Sequence, residues 1–152
     1  MAEGPFEKQV RLVHETPIWV RDSEEVFFLT VCCEERGKDS LATPEQGPAL
    51  LESVKFRNEQ GVWWCSAFVV MPDHVHFLVN FPEGKVMQDS IEKWKRWTSR
   101  QLGIDWQRDW FDHRLRRDES WREKAEYIVN NPVRAGLVEE AGDWPYFLFA
   151  ER

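Results

Sequence analysis

Residues 62–80 read VWWCSAFVVMPDHVHFLVN, two apolar and β-prone runs separated by Pro72-Asp73. The first run has apolar side chains on both faces, which is typical of a central strand. The second run follows after so short a connection that the two strands should pair antiparallel. The sequence therefore predicts a sheet built around strands at 62–70 and 74–80.

Two histidines occupy the second of these strands, where aliphatic side chains are expected. Successive side chains of a strand face opposite ways, so His74 and His76 share one face with Leu78. Two imidazoles that point the same way suit two ligands of one divalent metal ion. The spacing alone is equally consistent with a pair of half-exposed histidines on the surface of a sheet.

The rest of the chain alternates strand and helix patterns. Apolar periodicity predicts a strand at 26–33, helices at 44–59 and 86–101, and a strand at 109–115. A last helix opens with the capping box Ser120-x-x-Glu123 and runs to about Asn130. Pro132 and Gly136 then stop it. This order predicts an α+β fold, an antiparallel sheet with helices packed on one face and the other face available for a ligand.

The length of 152 residues fits a single domain, 1–152. No apolar run reaches the roughly 18 residues that cross a bilayer, and the N-terminal segment lacks the layout of a signal peptide. These features predict a cytoplasmic protein, whose three cysteines are then reduced thiols. With His14 or His113 they could form a structural zinc site, although no Cys-x-x-Cys motif supports one.

One basic segment interrupts an acidic chain. The net charge of −7 argues against a nucleic-acid partner, but residues 91–117 carry eight Lys or Arg against four Asp or Glu. Within the helix predicted at 86–101, Lys93, Arg96 and Arg100 line up on one face, with Trp97 at its edge. This stripe is either a solvated face or a phosphate-contacting face with a stacking indole.

The last helix carries a tyrosine away from its apolar stripe. The stripe consists of Trp121, Ala125, Ile128 and Val129. Tyr127 projects roughly 120–145° from the centre of the stripe, in line with Lys124 one turn earlier and Asn131 one turn later. The phenol is therefore a candidate functional group. The structural alternatives are a tyrosine that covers a helix flank and an asparagine that caps the helix.

A metal held by two imidazoles, beside a phenol and an amide oxygen, is the equipment for cutting a phosphodiester with a tyrosine nucleophile. The metal would polarise a non-bridging oxygen and the scissile bond. A phenol is mostly protonated at neutral pH, so the metal or a cation such as Lys124 would have to favour its ionised form. The attack would leave a covalent phosphotyrosine and store the bond for rejoining.

Three segments of the sequence resemble one protein family. They read MPDHVH at 71–76, WFDHRLR at 110–116 and YIVNNPVRAGLV at 127–138, with Trp144 beyond. In this order and spacing they resemble the REP-associated tyrosine transposases, bacterial single-tyrosine members of the HUH transposase and nuclease superfamily. The resemblance covers about residues 26–146.

The resemblance implies a ferredoxin-like fold, an Mg²⁺ or Mn²⁺ ion, and single-stranded DNA recognised beside the hairpin of a repeated extragenic palindrome. It also implies that His74 and His76 are metal ligands and that Tyr127 is the nucleophile. Asn131 stands where insertion-sequence relatives place a third, often glutamine, ligand. His113 belongs to the family pattern as a structural residue or a DNA contact. The expected DNA contacts are Lys93, Arg96, Trp97, Arg100, Arg114 and Lys124.

The implied protein is a bacterial cytoplasmic enzyme that joins the nucleoid when bound to DNA, and it is expected to complete its site as a monomer rather than as a homodimer. Two other functions fit parts of the sequence. One is a module that binds hairpin DNA through the basic stripe without cutting it. The other is a metal-dependent phosphohydrolase that uses water. Detection of metal-dependent cleavage would exclude the binding module. Loss of activity in Tyr127→Phe would exclude the water-using phosphohydrolase.

Overall fold

The computed structural model describes residues 25–116 and 119–150. Its strands are β1 (Phe27–Cys32), β2 (Trp64–Val70), β3 (His74–Asn80), β4 (Phe111–Arg114) and β5 (Phe147–Phe149). They form one sheet in the order β4-β1-β3-β2-β5, and every neighbouring pair is antiparallel. The predicted hairpin between β2 and β3 is confirmed.

Helices connect and extend this sheet. They are α1 (Gln46–Glu59), α2 (Met87–Leu102), α3 (Trp121–Val129) and α4 (Asn131–Arg134), with a short 3₁₀ turn at Ala141–Asp143. The succession β1-α1-β2-β3-α2-β4, with β1 and β3 at the centre of the sheet, is the ferredoxin-like arrangement. The predicted α+β class is confirmed. Within the described residues, no helix has the length and apolar character needed to span a membrane.

The helices α1 and α2 cover one face of the sheet. Leu50 and Val54 of α1 and Trp94 of α2 are fully buried against sheet side chains such as Phe77. The rings of Phe77 and Trp94 meet edge to face at 5.0 Å. The buried indole N–H of Trp94 donates to Ser53 Oγ at 2.9 Å. Residues that share an apolar face in the sequence pattern therefore do form this core.

The helix α3 lies on the opposite face, which is a departure from the sequence prediction that helices pack on one face only. Its residues Ala125, Ile128 and Val129 are buried with side chains of β2, β3 and β5. The apolar stripe of α3 is stabilised by burial against the sheet. Because α1 and α2 already cover the first face, α3 packs on the second. The edge of the second face formed by β4 is less covered, since Phe111 is 58% exposed.

The predicted end of the last helix near Asn130 is confirmed, since α3 ends at Val129. The sequence did not predict the short helix α4 that follows, in which Pro132 stands in the first turn, where its missing N–H breaks no helical hydrogen bond. Gly136, with φ of +75°, lies just beyond α4 as expected of a helix end. The sequence pattern did not predict β5, because three apolar residues are too few to show a strand period.

Candidate active site

The two histidines lie on the face of the sheet that carries α3. The register of β1 and β3 places His76 opposite Thr30 and His74 opposite Cys32. The imidazole rings are 4.9 Å apart, with an interplanar angle of 78°. The prediction that they share one face is confirmed, and they are close enough for both to approach one ion.

The Nδ1 atom of each imidazole makes a hydrogen bond that orients the ring. The Nδ1–H of His74 donates to the carboxylate of Asp73 at 2.7 Å, and Nδ1 of His76 is hydrogen-bonded to Thr30 Oγ1 at 2.8 Å. A carboxylate or hydroxyl on Nδ1 fixes the orientation of a metal-binding histidine and leaves Nε2 for the metal. The donor set therefore fits a divalent metal ion bound between His74 and His76.

The charge states of these groups also suit a metal site. Burial, together with the nearby charges of His74 and Arg134, lowers the pKa of His76 to about 3, so this imidazole is neutral at physiological pH. Burial opposes the ionisation of Asp73, but hydrogen bonds from the Gly37 N–H, His74 and Arg36 outweigh it and hold its pKa below the usual range. A neutral imidazole and an ionised orienting carboxylate are the forms that metal binding requires.

The tyrosine predicted as nucleophile shares one aromatic neighbour with this pair in the same chain. Tyr127 is 51% exposed, as its position off the apolar stripe of α3 predicted. Its ring meets Phe28 edge to face at 6.2 Å, and Phe28 stacks on His76 at 5.3 Å. A single aromatic side chain thus connects the phenol to the histidine pair.

An arginine completes the surroundings of the phenol. Arg134 Cζ lies 3.7 Å from the centroid of the Tyr127 ring, and Nη2 donates to the Tyr127 carbonyl oxygen at 2.6 Å. Asn131, the candidate third ligand, is the first residue of α4 and lies one turn after Tyr127. Among the described residues its side chain makes no hydrogen bond, so its amide oxygen is available.

The zinc site considered from the sequence is not found in residues 25–116 and 119–150. No group of three His, Cys, Asp or Glu side chains in these ranges could hold a metal ion. Cys32, Cys33 and Cys65 are free thiols. His14, the other candidate ligand, lies outside the described residues.

His113 and Lys124 meet in a charged cluster between β4 and α3. Nε2 of His113 is hydrogen-bonded to Glu119 at 2.9 Å, and Lys124 Nζ lies 3.7 Å from the same carboxylate. Glu119 also accepts from the Arg116 N–H at 2.8 Å. These contacts connect His113 of β4 to the segment at the entry to α3. They pair Lys124 with Glu119 rather than with the phenol of Tyr127.

The basic stripe lies away from this site. α2 packs on the face opposite the histidines, so the structure does not bring Lys93, Arg96 and Arg100 together with Tyr127. Lys93 pairs with Asp89 at 3.1 Å. Trp97 is 40% exposed on the outer surface of α2, where Arg57 stacks on its ring at 5.2 Å.

Arg114 also points away from the histidines. Its register partner is Phe27, which packs with the core under α1 and α2, and its guanidinium pairs with Glu25 at 3.2 Å. Neighbouring side chains of β4 alternate, so Phe111 and His113 are the β4 residues on the histidine face.

The sequence is similar to those of known proteins. The chain is 33% identical over 128 residues to the REP-associated tyrosine transposase of Escherichia coli strain K12, a match that covers 81% of this chain and 75% of the relative. This chain belongs to the REP-associated tyrosine transposases. A Haemophilus influenzae relative of the same family name is 27% identical over 142 residues, covering 82% of this chain and 79% of the relative.

A solved structure supports the family at the level of the fold. It is a REP-associated tyrosine transposase bound to a REP hairpin, with a TM-score of 0.70 and 25% identity, and the match covers 88% of this chain and 81% of that one. No family model matches the sequence. The ferredoxin-like fold implied by the resemblance is confirmed for this member of the REP-associated tyrosine transposases.

Four residues of the site were missed from the sequence. Asp73 directly precedes His74, and its place as an acid next to a candidate ligand was a usable signal. Thr30 and Phe28 reach the histidines only through the register of β1 on β3, which residue spacing does not encode. Arg134 stood within the motif 127–138, seven residues or about two helical turns after the tyrosine, and this spacing was a usable signal.

Proposed function

We propose that this protein is a metal-dependent, single-stranded DNA endonuclease and strand transferase that works through a covalent bond to Tyr127. The observation that supports the proposal is the contact series from Tyr127 through Phe28 to His76, because it links a phenol to the imidazole of His76 through one shared neighbour within one chain. The exposure of Tyr127 leaves its hydroxyl accessible to a DNA strand.

The proposed reaction is a transesterification. The Tyr127 oxygen attacks phosphorus of a phosphodiester, the bond from phosphorus to the leaving sugar oxygen breaks, and the phenolic proton is given up as the leaving oxygen becomes a hydroxyl. The phosphotyrosine keeps the energy of the broken bond. Attack of a strand hydroxyl on it reverses the step and joins DNA without any other source of energy.

His74, His76 and Asn131 would hold the Mg²⁺ or Mn²⁺ ion. The ion would act as a Lewis acid on a non-bridging phosphate oxygen and stabilise the charge that develops there. The chain contributes the orientation of its ligands: Asp73 and Thr30 fix the two rings, and Phe28 supports the His76 ring from one side.

The proposed substrate is a single strand that carries a hairpin formed by a palindrome. The solved relative bound to a REP hairpin supports this choice. The site also suits a flexible strand, since it is open at the edge formed by β4 rather than enclosed. The net charge of −7 predicts that binding depends on local cations, and the affinity should fall with added salt by an amount set by the number of phosphates they contact.

The direct test is formation of a covalent adduct. The protein is incubated with hairpin-bearing single strands and Mn²⁺, then denatured and separated on a gel. The wild-type protein should give a DNA adduct that resists denaturation, and Tyr127→Phe should give none. A module that only binds DNA gives no adduct in either case. A water-using phosphohydrolase cuts DNA in both proteins, and either of these results contradicts the proposal.

A further inference from the structure

Arg134 holds Tyr127 in two ways at once. Its Cζ is 3.7 Å from the centroid of the phenol ring, and its Nη2 donates to the Tyr127 carbonyl oxygen at 2.6 Å. The first contact is a cation–π interaction, which restricts the ring, and the second fixes the main chain of the same residue. Both contacts bridge the break between α3 and α4.

The same guanidinium has no acidic partner among the described residues. Other arginines near the sheet are neutralised: Arg36 pairs with Asp73 at 2.9 Å, and Arg114 pairs with Glu25 at 3.2 Å. Arg134 lies on the exposed surface beside a ring that contacts Phe28, on the side of the sheet that carries the histidine pair. An unneutralised guanidinium at this place is a site for an anion.

We propose that Arg134 binds the scissile phosphate and positions Tyr127 for attack on it. This inference rests on the proposed function. A guanidinium has five N–H donors, and one donor on the Tyr127 carbonyl oxygen leaves others for the phosphate oxygens. Its positive charge offsets the negative charge that builds on those oxygens as the phenol attacks.

The test of phosphate contact compares two DNA strands in the Tyr127→Phe protein, which cuts neither. Each strand has one hairpin and a single-stranded tail. One carries the normal phosphodiester at the cleavage position, mapped first with the wild-type protein, and the other carries a neutral methylphosphonate there. Adding Arg134→Gln should weaken binding of the phosphodiester strand about tenfold or more, and binding of the methylphosphonate strand less than about twofold.

Two further variants sharpen this comparison. Arg122→Gln is the matched control, since Arg122 lies on α3 and pairs with Glu126 at 3.4 Å, and it should change binding of the two strands equally and little. Arg134→Lys keeps the charge but not the planar fork, so it should recover part of the selective loss. An equal loss on both strands in Arg134→Gln would overturn the phosphate contact.

The positioning role is tested with Tyr127 intact. At a saturating concentration of strand, Arg134→Gln should slow single-turnover adduct formation about tenfold or more, because the phenol is no longer held toward the phosphate. An unchanged rate at saturation would overturn the positioning role. Failure of the parent protein to bind or cut any hairpin strand would instead overturn the proposed function, and this inference with it.

Discussion

Phe28 stacks on the imidazole of His76, with ring centroids 5.3 Å apart and an interplanar angle of 24°. The same ring meets the ring of Tyr127 edge to face, with centroids 6.2 Å apart. One phenylalanine of β1 therefore sets the position of a candidate metal ligand relative to a candidate nucleophile. Neither of those two residues lies on the same element as Phe28.

Replacement of Phe28 by alanine should cost both stability and activity. Removing a half-buried ring is expected to lower the free energy of unfolding by about 2 kcal/mol, and to slow adduct formation because Tyr127 loses its support. Phe111→Ala is the matched control: this ring also meets Phe28 but is 58% exposed, so its removal should cost less than about 1 kcal/mol. Urea unfolding of the two variants measures the difference. Equal losses would contradict the bridging role of Phe28.

Asp73→Asn should weaken binding of Mn²⁺ about 10- to 100-fold, because the amide is a poorer partner for the Nδ1–H of His74. The affinity can be measured by electron paramagnetic resonance or by calorimetric titration. The control is Asp112→Asn in β4, an exposed carboxylate on a strand that holds no predicted ligand. If Asp73→Asn binds Mn²⁺ as tightly as the wild type, then His74 is not a ligand oriented by this carboxylate.

A mixing experiment tests whether one chain completes the site. His76→Ala lacks a predicted ligand and Tyr127→Phe lacks the nucleophile, so each should be inactive alone. Because the structure places both groups in one chain, an equimolar mixture should also stay inactive. Recovery of adduct formation in the mixture would show that the tyrosine serves a partner subunit, against the prediction of a monomer.

The thiols should react in a fixed order. Burial raises the pKa of Cys33 to about 11, with a further contribution from Asp73, so about one thiol in a thousand is ionised at pH 8. Burial also raises the pKa of Cys32 and Cys65, but Cys32 is half-buried and accessible. Iodoacetamide should therefore label Cys32 first in the native protein.

The same shifts predict a loss of stability in alkali. A thiol whose pKa is higher in the folded than in the unfolded state favours folding less as the pH rises above its unfolded value, here from about 8.5 upward.

Mass spectrometry after timed labelling with iodoacetamide follows the reaction of each cysteine. Fast labelling of Cys33 or Cys65 at pH 8 without denaturant would show that they are not buried as described.

The sequence predicted those parts of the site that depend on local periodicity. The alternation of β3 put His74 and His76 on one face, and the helical period of α3 put Tyr127 off the apolar stripe. Both were confirmed, because a strand repeats every two residues and a helix every 3.6 whatever their surroundings. The hairpin was equally predictable, since strands joined by a connection as short as the one at Pro72-Asp73 pair with each other antiparallel.

The parts that depend on how elements pack were not predictable in this way. The stripe of Lys93, Arg96 and Arg100 is regular, but nothing in its period says which face of the sheet α2 will cover. Phe28 meets His76 only because β1 inserts beside β3 in one register. Periodicity gives the direction of a side chain relative to its own helix or strand. Which face of the sheet each helix covers depends on how all the apolar stripes of the chain are buried together.

Mass spectrometry of the adduct identifies the residue that forms the bond to DNA, which is proposed to be Tyr127. Trypsin should release residues 125–134 as one peptide, AEYIVNNPVR, which contains Tyr127 and no other hydroxyl side chain. After nuclease treatment this peptide should carry a nucleotide joined through phosphate to Tyr127, and Tyr146, the other tyrosine, should be unmodified. A nucleotide on Tyr146, or cleaved DNA with no modified peptide, would show that Tyr127 is not the nucleophile.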